Sequence, residues 1–392
     1  MKRTTLILCV GLIIGLTAAE TLAGMPAFAR KYRMSCNVCH NPFPRLKAYG
    51  EEFAGNGFVL ADKDAPRYYA DTGDDTLSLI RDLPIALRLE GHILYNNAAS
   101  ERLDFASPYI VKLLSGGAIA KNISYYLYFF LGERGEVAGL EDAFIMFNDL
   151  FKTGVSVTLG QFQVSDPLFK RELRLTFEDY EIYRTRTGAS IIDLTYDRGL
   201  MFNFGFKTGT DFTVEVLNGS GIGEADIFRN FDNDTYKNLF ARVSQGIGDH
   251  LSVGACAYHG KEAAAEGEGV NRVWIWGVDA SLNFDKFELR AQYMERSDDN
   301  PFFVAPPAEE LMTRGGFAEL IFLPQGDASR WYGVLLFNWV DHPEEGFDYT
   351  STSAHVGLLL RRNIRLVAEF NYLGRSPYGE HARVGVGVIT AF

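Results

Sequence analysis

The chain has 392 residues, 47% hydrophobic and 22% charged, with a formal net charge of −12. That balance excludes a disordered tail, and a pI of about 5.2 excludes a nucleic-acid partner held through its phosphates. A mean hydropathy of −0.05, with no second apolar run long enough to span, excludes a polytopic helical membrane protein. It does not exclude a membrane β-barrel, whose alternating strands average to neutral hydropathy. Thirty Phe, 19 Tyr and 39 Gly against 13 Pro point to a large all-β protein.

The N-terminus reads as an export signal. Lys2 and Arg3 precede an apolar run from Leu6 to Leu16, and small residues follow, with cleavage expected after Ala19 or Ala23. The alternative, an uncleaved anchor helix, has a run short of the ~20 residues that a span needs. Cys9 lies inside the apolar run behind Leu8, where a lipoprotein site needs a small residue. With residues 1–23 as the signal peptide, loss of Lys2, Arg3 and Glu20 takes the net charge from −12 to −13.

Cys36-Asn37-Val38-Cys39-His40 is a C-x-x-C-H, the attachment pattern of c-type haem. Two thiols one turn apart can each add to a vinyl group of the porphyrin, and the adjacent His40 then offers its imidazole to the iron as proximal ligand. The expected cofactor is one covalent haem c on Cys36, Cys39 and His40, with His40 as the metal ligand. The competing readings are a small disulfide, a redox C-x-x-C, which needs a βαβ context, and a zinc site, which needs further ligands that do not follow within fifty residues. Candidates for the distal ligand are Met25, Met34, His92 and His355, and the choice among them stays open. Met34 sits too near Cys36 to reach the opposite haem face.

Met25-Pro26-Ala27-Phe28-Ala29-Arg30, then Lys31-Tyr32-Arg33-Met34-Ser35 and CNVCH, resembles the N-terminus of fused monohaem cytochrome–porins. That outer-membrane family includes iron-oxidising cytochromes. The motif likeness covers residues 25–58, and the long β-rich remainder matches in architecture. The resemblance implies an outer-membrane protein that passes electrons between an extracellular donor or acceptor, iron among the candidates, and periplasmic carriers. Because a single haem cannot carry electrons through the envelope, a periplasmic c-type cytochrome is the expected partner.

Residues 41–60 contain a helical-looking piece with Phe43, Leu46, Tyr49 and Phe53 near one face. It would cover the haem edge or pack as an ordinary short helix against the barrel. Residues 61–82 are polar and charged, as in a linker. Residues 24–82 therefore form a mono-haem cytochrome segment with its linker, and residues 83–392 a porin-like barrel.

From residue 83 alternation dominates. Leu83, Ile85, Leu87, Leu89, Ile93 and Tyr95 share one face, while Ala86, Arg88, Glu90, His92 and Asn96 share the other. Comparable rows are Ile123 to Leu131, Trp274 to Leu282, Phe287 to Tyr293, Trp331 to Trp339 and Ile364 to Tyr372. Their aromatics fit interfacial girdles facing outer-membrane lipid, and the final strand closes on Phe392. Sixteen strands are expected, centred near 90, 112, 127, 143, 158, 203, 214, 240, 254, 276, 291, 318, 334, 356, 369 and 387. Residues 161–184 interrupt the rhythm, and G-Q-F…F-K-R-E is similar to a segment of anion-selective porins. Either this stretch folds inward so that Lys170, Arg171, Arg174, Glu172, Glu178, Asp179 and Glu181 line a narrowed pore, or it is a surface loop. Acidic stretches at 223–235, 295–310 and 341–349 read as extracellular loops.

The expected fold is thus all-β, a transmembrane antiparallel barrel of about 16 strands whose lumen is plugged by a small helical mono-haem cytochrome segment. Two other functions compete with electron transfer. One is a passive outer-membrane solute porin with a structural C-x-x-C-H; the other is a soluble periplasmic monohaem cytochrome. No Ser-His-Asp, P-loop or carboxylate-pair arrangement points to hydrolysis or phosphoryl transfer.

Overall fold

A computed structural model describes residues 26–32, 34–60, 70, 72–74, 76–81, 83–264, 269–305 and 308–392. The expected signal peptide, Cys9, Met25 and most of the linker lie outside the described residues. Among the described residues, two short α-helices, α1 (Pro26–Tyr32) and α2 (Ala48–Gly55), precede sixteen strands. These are β1 (Ile85–Asn96), β2 (Leu103–Ala120), β3 (Ile123–Glu133), β4 (Gly139–Phe147), β5 (Ser156–Gln163), β6 (Tyr196–Gly205), β7 (Thr210–Leu217) and β8 (Asn238–Ile247). The series continues with β9 (Leu251–Ala263), β10 (Val270–Asn283), β11 (Phe287–Asp298), β12 (Leu311–Phe322), β13 (Trp331–Asp341), β14 (Tyr349–Arg361), β15 (Ile364–Arg375) and β16 (His381–Ala391). Every one of the sixteen expected centres falls within its strand, because period-2 patterning survives wherever the two faces meet different surroundings.

All neighbours pair antiparallel, and β1 pairs with β16 from Arg88↔Ala391 to Asn96↔Arg383, which closes the ring. Closure leaves no strand edge, so the ladder satisfies the backbone N–H and C=O groups of the wall without help from solvent. Short turns, such as 121–122, 206–209 and 362–363, gather at one end with the start of β1 and the end of β16; long loops, such as 164–195, 218–237 and 299–310, gather at the other.

The two faces of the wall are inverted relative to a soluble barrel. Trp274, Trp276, Val278, Leu335 and Val386 are exposed on the outside, whereas Glu319, Asn338, Ser353 and Arg365 are buried within. A large buried guanidinium and exposed tryptophans make sense when the outer face meets hydrocarbon and the inner face is polar. This arrangement does not fit the soluble-cytochrome alternative.

The interrupting stretch folds inward. Tyr180 and Tyr183 are fully buried in the lumen, packed with Phe162, Met294, Phe317 and Leu336. Tyr180 stacks on Phe317 with ring centroids 4.1 Å apart and donates its hydroxyl to Glu319 at 3.0 Å. The Tyr183 hydroxyl donates to Gln292 at 3.1 Å. Phe177 sits between His92 (4.6 Å) and His355 (5.7 Å), and Glu369 accepts the backbone N–H groups of Phe177 (2.6 Å) and Glu178 (3.0 Å). Glycines 385 and 387 of β16 leave room for Phe177 and His92; a Cβ on either would run into those rings.

The expectation of a pore lined by the segment's charges is corrected in detail. Arg171 pairs with Asp179 at 2.5 Å, Lys112 with Glu172 at 2.7 Å, and Arg383 with Glu178. Buried charges are retained only when partnered, so these groups tie the segment to itself and to the wall. An apolar contact region fills this side of the lumen.

Phe317→Ala should therefore destabilise the barrel by about 3 to 5 kcal/mol, the usual loss for a buried aromatic, read as a lower urea midpoint for unfolding from lipid vesicles.

Candidate cofactor site

The N-terminal segment sits at the short-turn end, against the inside of the wall. Its own apolar cluster is Tyr32, Phe53 and Phe58, joined by Phe28. Phe28 meets Phe53 edge-on at 5.1 Å and stacks on Phe58 at 5.3 Å; Phe58 in turn stacks on Tyr126 of β3 at 5.4 Å. The Tyr32 hydroxyl donates to the Phe58 carbonyl at 2.8 Å. Polar contacts fix the segment to the barrel. Arg45 pairs with Glu288 at the start of β11, Lys47 and Asn41 reach Asp327 in the β12–β13 turn, and Arg30 donates to the Ile85 carbonyl at 2.8 Å.

The helix expected within 41–60 is shorter than its apolar spacing suggested. Pro42 and Pro44 lack the N–H that a helix needs, so the chain turns through 41–47 and becomes helical only at Ala48. Phe43, Leu46 and Phe53 face one cavity, while Tyr49 is exposed.

A single 3₁₀ turn spans Cys36–Val38, with the His40 N–H donating to the Cys36 carbonyl at 2.9 Å. This turn brings Cys36, Cys39 and His40 to the same side, where all three border a cavity holding about 1420 Å³ of empty space, its open mouth included. His40 Nδ1–H donates to the Pro44 carbonyl at 2.8 Å, which fixes the tautomer and leaves Nε2 as the basic nitrogen. Burial pushes the imidazolium down to about 4 against the backbone contacts of Pro44 and Arg45, so the ring is neutral near pH 7. A neutral imidazole with an open Nε2 is the form that ligates a metal. Gly50 of α2 lies so close to the Cys39 carbonyl that a Cβ would collide with it.

The cavity has two chemically different sides. Phe28, Phe43, Phe53, Phe58 and the small residues Ala27, Gly50 and Ala54 come from the N-terminal segment. Arg88, Tyr128, Asp142, Asp166, Lys170 and Glu172 come from the wall and the inward segment. Cys36, Cys39 and His40 beside an apolar, aromatic-lined space fit a covalently attached haem. Among the described residues, no three His, Cys, Asp or Glu side chains converge to hold a metal ion on their own, which disfavours the zinc reading.

The other sequence candidates are distributed differently. Met34 borders the cavity, and Met25 lies outside the described residues. His92 and His355 do not border it; they contact Glu90 at 3.3 Å and Glu369 at 2.9 Å and flank Phe177. Cys256 is buried in the apolar luminal core. The contribution of Tyr126 and Tyr128 was missed in the sequence because β3 carries aromatics on both faces, and that of Asp142, on β4, because its strand shows no clear alternation.

Glu172 links the inward segment to the cavity wall, through Lys112 at 2.7 Å and the Tyr128 hydroxyl. Burial alone would raise its carboxyl, but Lys112 and Arg174 outweigh that and hold it at about 2. A depressed carboxyl stabilises the fold above its ordinary value near 4.5 and loses that contribution as pH falls towards 2. The urea midpoint should fall across that window, and Glu172→Gln should flatten the dependence while lowering the midpoint at neutral pH.

No family model and no curated protein matches the sequence. Among solved structures, the chain is similar to the anion-selective porin from Comamonas acidovorans, with TM-score 0.60 and 13% identity over 79% of this chain and 99% of that one. It is also similar to Salmonella typhi OmpF in its complex with daunomycin (TM-score 0.58, 12% identity, 81% and 100% covered). A third similar structure is the outer membrane channel DcaP of Acinetobacter baumannii (TM-score 0.56, 12% identity, 79% and 97% covered). The chain has the porin fold. At these identities the likeness extends to the fold and not to what the barrel transports.

Proposed function

We propose that this porin-fold barrel sits in the outer membrane and carries one covalent haem c, by which it passes electrons between an extracellular redox species and periplasmic carriers. The observation that carries this reading is the cavity bordered by the Cys36 and Cys39 sulfurs and the His40 ring. Cys36 and Cys39 would form the two thioether links, and His40 would donate Nε2 to the iron with Pro44 orienting the ring. Bound there, haem supplies one-electron redox chemistry. The aromatic residues of the N-terminal segment exclude water from one side of the space, and the barrel insulates it from the membrane. The porin fold and the apolar outer face of the wall support the outer-membrane location.

The donor or acceptor is a small extracellular redox species, with iron the leading candidate, and the partner on the inner side is a periplasmic c-type cytochrome. The acidic outer loops, with Asp226, Asp232 and Asp234 in 218–237, would favour cations near the long-loop end.

The second reading, a passive solute porin with a structural C-x-x-C-H, is favoured by the porin likeness. The apolar packing of Tyr180, Tyr183 and Phe317 across the lumen speaks against a wide aqueous channel.

A pyridine haemochrome spectrum of the detergent-extracted protein, washed free of loose haem, separates the two. One haem c per chain is expected, lost in Cys36→Ser/Cys39→Ser, together with low conductance in planar bilayers. A native chain that retains no haem and conducts like an open porin would establish the solute-channel reading instead.

A further inference from the structure

The cavity has an ionic side made by Arg88 on β1, Asp142 on β4, and Asp166, Lys170 and Glu172 of the inward segment. Four of these five have a partner of opposite charge: Arg88 with Glu90 at 2.5 Å, Lys170 with Asp166 at 3.2 Å, and Glu172 with Lys112 at 2.7 Å. Asp142 has none among the described residues. It is 6% exposed, and its Oδ1 is buried without a hydrogen-bond partner.

The groups around Asp142 do not compensate it. Glu141 precedes it on β4, the carboxylates of Asp166 and Glu172 and the ammonium of Lys170 face it from the inward segment, and the phenols of Tyr126 on β3 and Tyr196 on β6 lie nearby. Lys112 and Lys170 are each already engaged by another carboxylate. The pattern extends along the same side of the lumen, where Glu215 of β7 is fully buried with neither oxygen partnered. Glu172, held at about 2, stays ionised through the physiological range, which leaves Asp142 as the cavity carboxyl whose charge is not fixed by an ion pair.

An unpartnered buried charge carries a heavy desolvation penalty, and the proton occupancy of a carboxyl follows the net charge of the space that it faces. We propose that Asp142 is a redox-linked proton site: a positive charge in the oxidised cavity would hold it as a carboxylate, which takes up one proton when one electron enters and cancels that charge, and releases it when the electron leaves. The electron comes from the one-electron donor of the transfer reaction and the proton from water. The only bond made or broken on the protein is the carboxyl O–H, and the summed charge of the cavity is unchanged. Electron transfer through this barrel is thereby coupled to proton movement within its lumen. The proposal rests on the reading of the cavity as a haem site.

The test is a spectroelectrochemical titration of the full-length, detergent-solubilised protein and its Asp142→Asn variant between about pH 5 and 8, after haem per chain has been counted in both by pyridine haemochrome. In the native protein the midpoint potential should fall as pH rises, with a slope approaching about 59 mV per pH unit, the one-electron equivalent of a tenfold change. The amide mimics the protonated acid. The variant should therefore show a flat profile, meeting the native protein at the acid end and lying above it at the alkaline end. Redox-difference infrared spectra should show a carboxylic acid C=O band on reduction that the variant lacks. Asp249→Asn, in the exposed 248–250 turn, should keep the native slope. A haem-loaded native protein with a flat profile overturns the proposal, as does a haem-loaded Asp142→Asn variant that keeps the slope. A protein without haem overturns the reading of the cavity, and the proposal with it.

Discussion

A closed ring of sixteen strands encloses more space than the side chains on its inner face can fill, and much of this molecule follows from that one constraint. Ring closure satisfies the backbone of the wall and removes its edges, but the width of the ring leaves a lumen that must be wet or filled. Here residues 164–195 turn inward and fill one side with Tyr180, Ile182 and Tyr183 against Phe317 and Met294. The N-terminal segment occupies the short-turn end, seated by Arg45 on Glu288 and by Phe58 on Tyr126. The cavity is the space that remains between these two fillings.

Bringing chain into the lumen also brings polar groups that must be matched there. Glu369 receives two backbone N–H groups of the inward segment, the Asn338 amide donates to the Asp179 carbonyl at 3.0 Å, and Arg296 donates to the Ile192 carbonyl at 2.6 Å. Each of these partners is an inward-facing residue of a strand. The wall therefore serves two solvents at once: hydrocarbon outside, where tryptophan and valine suffice, and a dry polar interior, where hydrogen-bond geometry decides what fits. Beside these matched contacts, a cavity carboxyl that forms no ion pair among the described residues is a group whose charge answers to the contents of the cavity.

The same constraint bears on function. A porin fold with an open lumen is a channel; here the inward segment and the N-terminal segment occupy part of that lumen and leave a cavity between them. That cavity lies at the short-turn end, bordered by the N-terminal segment and by Pro84 and Ala86 at the start of the barrel. The inward segment runs from the long-loop end to the cavity wall at Glu172, where Lys112 holds it.

The sequence by itself determined the number of strands, the apolar face of those with clear alternation and the C-x-x-C-H motif. These are local properties: alternation of period two reports which face meets lipid, and Cys36, Cys39 and His40 are neighbours along the chain. Helix length in 41–60 was misjudged because Pro42 and Pro44 override apolar spacing. Only the tertiary structure decided whether 161–184 folds inward, which luminal groups meet the motif, and that His92 and His355 hold Phe177 and do not border the cavity. Those outcomes depend on contacts between residues more than a hundred positions apart, such as Tyr180 with Phe317 and Glu178 with Glu369. No periodicity in the sequence encodes such contacts. Asp142 belongs to the same class, since a missing partner is visible only when every neighbour has been placed.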